Sequence, residues 1–168
     1  GLPGMPVVVV GSNGRVAWAF TNSQIDVADL VVVEQPGGLE EWYHAPGQAD
    51  DLKLETRTEV IRVKGGDDVK LETKWTIWGP LVGKDEQGRP LALRWTMHDP
   101  AAADLRILGL ESADNVVAAV AAVRGAGAPA LNCVLADRDG EIAWTIVGRI
   151  PDRRGYEDRK STRLNSSH

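Results

Sequence analysis

Residues 10–34 read VGSNGRVAWAFTNSQIDVADLVVVE, and the order of residue types in that stretch decides the fold. Ser12-Asn13-Gly14 is turn chemistry, because Asn and Gly tolerate a positive φ. Arg15–Thr21 reads as the strand returning from that turn, with the apolar run Val7–Val10 as a strand before it. Asn22–Asp29 is a polar loop carrying Asp26 and Asp29. Leu30–Val33 has the length and β-branched content of a buried strand. The stretch therefore predicts strand, tight turn, strand, polar loop, strand.

The pattern continues downstream. A loose polar stretch holds Trp42-Tyr43. Leu52–Val63 then alternates as LKLETRTEVIRV, Lys64-Gly65-Gly66-Asp67 turns, and Val69–Trp78 alternates back, which predicts a hairpin. Leu81–Gly83 and Leu91–Thr96 flank a second turn at Asp85–Gly88. Ser112–Val123, SADNVVAAVAAV, predicts a helix with Ser112 as N-cap, Asp114 in the first turn, and Gly125 and Gly127 beyond its end. Leu131–Ala136, a turn at Asp137–Gly140, and Glu141–Val147 close the pass. The class is α+β, mostly strands with one clear helix near residues 112–124.

Composition excludes several function classes. The net charge of −5 over 168 residues lacks the clustered basic footprint of a nucleic-acid binder. No apolar run approaches the ~20 residues of a membrane span. The single cysteine, Cys133, permits neither an internal disulfide nor a thiolate metal cluster, and its apolar strand marks it as an inert core thiol. His44 and His98 have no Ser or Asp at a recognisable catalytic offset. Asp137-x-Asp139-Gly140 resembles the opening of a calcium loop but lacks the closing Glu, and reads as a hairpin turn. The six Trp residues read as packing.

Both ends predict a fragment. Gly1-Leu-Pro-Gly-Met-Pro6 is mid-domain loop chemistry with no targeting segment ahead of it. Asp158–His168, DRKSTRLNSSH, has no apolar periodicity and back-translates to a common short-read sequencing adapter. That tail is read as an artefact joined after Glu157 and is left out of functional reasoning.

Taken together, the motifs resemble the penicillin acylase family of N-terminal-nucleophile (Ntn) amidases, in the β-subunit downstream of its catalytic serine. The family pattern G-x-N-x-x-x-A-W-G-x-T-N…D-x-x-D-L…E is met by Gly11, Asn13, Ala17-Trp18, Thr21-Asn22, Asp26, Asp29-Leu30 and Glu34. Ala19 stands in place of the usual Gly, and Ser12 in place of a frequent His or Arg. Val63–Gly66, Thr76–Pro80 (with Trp78 for the usual His), Ala92–Thr96 and the closing set Asn132, Ala136-Asp137, Gly140, Ile142, Trp144, Gly148, Ile150-Pro151 and Arg153 extend the match.

The resemblance implies residues 1–157 as part of a β-subunit, built as a piece of the αββα Ntn-hydrolase sandwich with a strand-rich insertion. It implies hydrolysis of linear amides, either β-lactam side-chain amides or acyl-homoserine lactones. The nucleophile would be a serine freed at the N-terminus by self-cleavage and lying upstream of Gly1. The backbone N–H of Asn22 would belong to the oxyanion hole. Val10, Phe20, Gln24 and Leu131 would line the acyl pocket, although Phe20 and Val10 read equally well as core. Asp26, Asp29 and the Ala28 carbonyl would form half of a calcium site. The expected partners are a small acyl-amide substrate, an α-subunit and the remaining β-subunit, in an extracytoplasmic compartment. The departures at Ser12 and Trp78 leave open a non-catalytic homologue acting as a binding or structural domain.

Overall fold

The computed structural model describes residues 7–153. The adapter-like tail and the segment Gly1–Pro6 lie outside them.

Two antiparallel sheets organise the chain. The first has the order β1 (Gly11–Ser12), β2 (Val16–Asn22), β10 (Leu131–Asp137), β11 (Ile142–Val147). Strand β10 lies at its centre, setting Cys133 opposite Phe20 on one side and opposite Thr145 on the other. Strands alternate their side chains between faces, and here one face is covered. Helix α1 (Val116–Val123) and a 3-10 segment, Arg106–Ser112, lie on it. Val16, Trp18, Cys133, Leu135 and Val147 meet Leu110, Val116, Ala119 and Val123 in a dry core. Val116, Ala119 and Val123 recur at the spacing of one helix face. On the sheet's other face Val134, Ile142 and Trp144 are exposed, Trp144 by 65%.

The second sheet has the order β3 (Ala28–Val32), β9 (Pro90–Trp95), β8 (Leu81–Lys84). Its core joins Val33 and Ala92 to Tyr43, Ala45 and Leu54. The Tyr43 hydroxyl accepts the Ile77 N–H at 2.9 Å, so this fully buried phenol is satisfied. Strands β4 (Trp42–Tyr43) and β5 (Leu52–Lys53) pair beside it. Strands β6 (Glu55–Ile61) and β7 (Val69–Trp75) form the expected hairpin, a two-stranded ribbon with every β6 residue exposed.

Several sequence expectations need correction. Val7–Val10 is bends, not strand, and only Gly11–Ser12 pairs with β2. Helix α1 starts four residues after Ser112. The chain through Ser112 is wound as a 3-10 helix, and Asn115 caps α1 by accepting the Ala118 N–H at 2.9 Å. The buried strand expected at Leu30–Val33 is an edge strand, β3, with Leu30 exposed and only Val33 enclosed. The loose stretch at Trp42-Tyr43 is strand. Of the Trp residues only Trp18 is buried in a core; Trp42, Trp95 and Trp144 face solvent. Leu52–Val63 is broken at Leu54, whose side chain turns into the second core.

Candidate active site

The site forms where β2 leaves the first sheet and runs toward β3 in the second. Asn13 N–H donates to the Val16 carbonyl at 3.1 Å, and Arg138 N–H to the Arg15 carbonyl at 3.0 Å. Bonded and non-bonded pairs alternate along an antiparallel ladder. The amides of Val16, Trp18, Phe20 and Asn22 therefore turn away from β10, toward the β1 side. Strand β1 ends opposite Trp18. Beyond it, the Asn22 N–H is directed at a strand edge that no described residue pairs.

Asn22 is fixed by its other groups. Its carbonyl accepts the Asn132 side-chain amide at 3.1 Å, and Asn132 in turn accepts the Trp144 indole N–H at 3.1 Å. Its own side-chain oxygen accepts the Gln24 N–H at 3.2 Å. Gln24 has φ 57°, the one positive φ at a non-glycine position among the described residues, and this turn locks it there. The Ser23 hydroxyl donates to the Ala130 carbonyl at 2.6 Å, tying the same loop to the entry of β10.

The other end of the loop meets the segment after β11. Gly148, at φ 88°, turns the chain; a Cβ there would fall 2.3 Å from the Ala128 carbonyl oxygen. The turn delivers Arg149–Arg153 to the loop. The Arg153 guanidinium donates through Nε and Nη2 to one Asp29 carboxylate oxygen, at 3.1 and 2.9 Å, and through Nη1 to the Asp26 carbonyl at 3.1 Å. Nη2 also lies 3.4 Å from the Asp26 carboxylate. Asp26 keeps its other oxygen on the Ala28 N–H at 3.4 Å.

Asp26 and Asp29 thus both close on one guanidinium. A calcium ion takes about 6–8 oxygens at roughly 2.3–2.6 Å. Among the described residues no group of three or more His, Cys, Asp or Glu side chains converges here or elsewhere. Half of a calcium site was expected here, with its other ligands from outside this chain; in this structure the Arg153 guanidinium engages both carboxylates instead.

Of the four residues expected around an acyl group, two share one core and two are exposed. Phe20 and Leu131 pack against the helix-covered core, Val10 is 63% exposed in a bend, and Gln24 is exposed in its turn. A cavity of about 410 Å³ opens between β3, β9 and the Arg149–Arg153 segment, with Trp78, Trp95 and His98 in its wall. His98 sits edge-on to Trp95 and tilted against Trp75, with its Nδ1 buried and without a hydrogen-bond partner. Sequence reasoning had no ground to bring Arg153 to this loop, and His98, set aside as a catalytic group, stands in the cavity wall. The signal that could have pointed to Arg153 was the pair Asp26 and Asp29, whose like charges favour a cation nearby. The expected turn at Asp137–Gly140 is present: Asp137 accepts the Val116, Asp139 and Glu141 N–H groups at 3.0–3.1 Å.

An antiparallel sheet under a helical layer, with a polar loop leaving its central strand β2, is an α+β arrangement. A thermostable penicillin G acylase from Alcaligenes faecalis superposes with a TM-score of 0.79 at 24% identity, over 91% of this chain and 28% of that one. The penicillin amidase family model matches residues 1–167, and the chain belongs to that family. An acyl-homoserine lactone acylase QuiP of Pseudomonas fluorescens (strain Pf0-1) is 32% identical over 162 residues. The QuiP of Pseudomonas putida (strain KT2440) is 31% identical over 155 residues. The chain spans 19% of the length of these curated relatives, while 91–92% of the chain is covered.

Proposed function

We propose that this chain is part of an acylase that hydrolyses a linear amide, with N-acyl-homoserine lactones as the first substrate class and β-lactam side-chain amides as the second. The relatives' names support that order. The observation that carries the reading is the Asn22 N–H, directed at an edge that no described residue pairs and held by Asn132 and Ser23. A preorganised backbone donor of this kind suits the oxyanion of a tetrahedral intermediate.

On this reading the serine nucleophile lies upstream of Gly1, with its own α-amino group as base. The serine oxygen attacks the acyl carbon while the carbonyl oxygen takes up charge at Asn22. Collapse expels the amine, which leaves with the serine's proton, and water then releases the acid. The exposed face bearing Val134, Ile142 and Trp144 is where the α-subunit and the remaining β-subunit complete the sandwich. The enzyme works outside the cytoplasm. No helix among the described residues is long and apolar enough to cross a membrane.

The test is amine release by the full-length protein carrying Asn22→Pro, which deletes the N–H, beside Asn22→Ala, which keeps it. A folded Asn22→Pro protein should lose roughly 10²–10³ in kcat, and Asn22→Ala should stay within about tenfold of wild type. Equal effects of the two substitutions would remove Asn22 from the oxyanion hole. A folded wild type without turnover on either substrate class would favour a binding or structural domain.

A further inference from the structure

We propose that Arg153 is the resident cation of the Asp26–Asp29 loop, so that this protein sets the loop with its own guanidinium and needs no divalent metal there. Two carboxylates three residues apart repel unless a positive charge lies between them. Arg153 supplies that charge with a fixed planar fork. Its three nitrogens are engaged on the loop, two on Asp29 and one on the Asp26 carbonyl, with Nη2 also within ion-pair range of the Asp26 carboxylate.

The arrangement is a clamp as well as a neutraliser. The Arg153 side chain is the most enclosed of the three, 28% exposed against 44% for Asp29 and 74% for Asp26. It reaches the loop from a segment more than a hundred residues away, aimed by the turn at Gly148. A metal placed between the carboxylates would have to displace the guanidinium. The displaced Arg153 would then lose charge-assisted hydrogen bonds to an anion and a carbonyl. The loop is the one that presents Asn22, so Arg153 acts as a positioning residue for that amide if the amidase reading holds. The clamp itself stands on the contacts alone.

The test therefore reads stability and metal binding rather than turnover. Thermal melts of the purified full-length protein are run with EDTA, with millimolar CaCl2, and without either, for wild type, Arg153→Gln, Arg153→Lys and Asp29→Asn. Wild type should melt at one temperature in all three conditions, and calcium titration should give no saturable heat. Arg153→Gln and Asp29→Asn should each lower Tm below that of wild type. The double substitution should cost no more than the larger single one, because both remove the same contact. Arg153→Lys should fall between, keeping the charge but losing the fork. If Arg153→Gln does not fold, Asp29→Asn carries the same comparison. A wild-type Tm that drops in EDTA and returns with CaCl2 would overturn the proposal. So would an Asp29→Asn protein that melts with the wild type.

Discussion

Asn13 offers the sharpest energetic test, because one side chain joins the first hairpin to the helical layer. Its amide nitrogen donates toward the carbonyls of Ala113 at 2.8 Å, Leu110 at 3.2 Å and Glu111 at 3.3 Å. Its amide oxygen accepts the N–H groups of Arg15 and Val16, both at 2.9 Å. Carbonyls on one side and N–H groups on the other fix which way the amide points. The nitrogen has only two protons for three carbonyls, and the Glu111 and Arg15 contacts are exposed, where water can substitute. That leaves two to three partly buried bonds, worth about 0.5–1.5 kcal/mol each. Asn13→Ala should therefore cost about 2–3 kcal/mol in urea unfolding followed by the fluorescence of buried Trp18.

Asn13→Asp separates the two halves of the amide. The carboxylate keeps both accepted bonds but points a charged oxygen at three carbonyls. Its folded pKa must then rise above the unfolded value of about 3.9. A raised carboxyl pKa favours the folded state when protonated, so the deficit should shrink as pH falls through the folded pKa and be largest at neutral pH. An Asn13→Ala loss below about 0.5 kcal/mol, the level of an ordinary surface change, would refute the tether. An Asn13→Asp deficit that does not vary with pH would refute the carbonyl cage.

Two further outcomes follow from other contacts. Burial alone pushes the Cys133 thiol up to about 11. Thiol reagents at pH 8 should therefore leave the native protein untouched and titrate it once denatured; rapid native labelling would contradict the packing against Phe20 and Leu135. Asp137 is held below its ordinary value of 3.8, first by the Val116 N–H at the start of α1 and then by the Glu141 and Asp139 N–H groups. A depressed folded pKa gives stability that is present above about 3.8 and lost as pH falls toward the lower folded value. Asp137→Asn should flatten that acid limb of Tm against pH, whereas parallel limbs for the two proteins would deny Asp137 the role.

The parts of the fold legible in sequence are those written in adjacent residues. The alternation from Glu55 to Trp75 gave the β6–β7 ribbon, and Asp85–Gly88 and Asp137–Gly140 gave the turns of two other hairpins. The start of α1 was misplaced because Ser112 and Asn115 are both competent caps. Tertiary contact decides between them: the Val116 N–H is taken by Asp137, and Ser112 turns its hydroxyl to the Gly109 carbonyl at 3.3 Å. The Trp residues misled because hydrophobic character says nothing about which face of a sheet is covered. Trp18 and Trp144 both stand in regular strands of the same sheet, one under the helices and one outside.

The site was legible only as a loop, and the reason is physical. Its residue types are set locally, but its geometry is imposed by groups from the far third of the chain. Ser23 is held by Ala130, Asn22 by Asn132, and Asp26 and Asp29 by Arg153. Each of these contacts crosses more than a hundred residues, so their closure cost falls on chain entropy before any of them contributes. They can persist only because β2 and β10 already pair along their full length and bring the two segments side by side. The sheet does the long-range work once, and Asn132 and the turn at Gly148 spend it on the loop. A loop pinned at both ends in this way presents the Asn22 amide in one direction. That fixed direction, more than the identity of Asn22, is what a backbone donor needs to meet a developing negative charge.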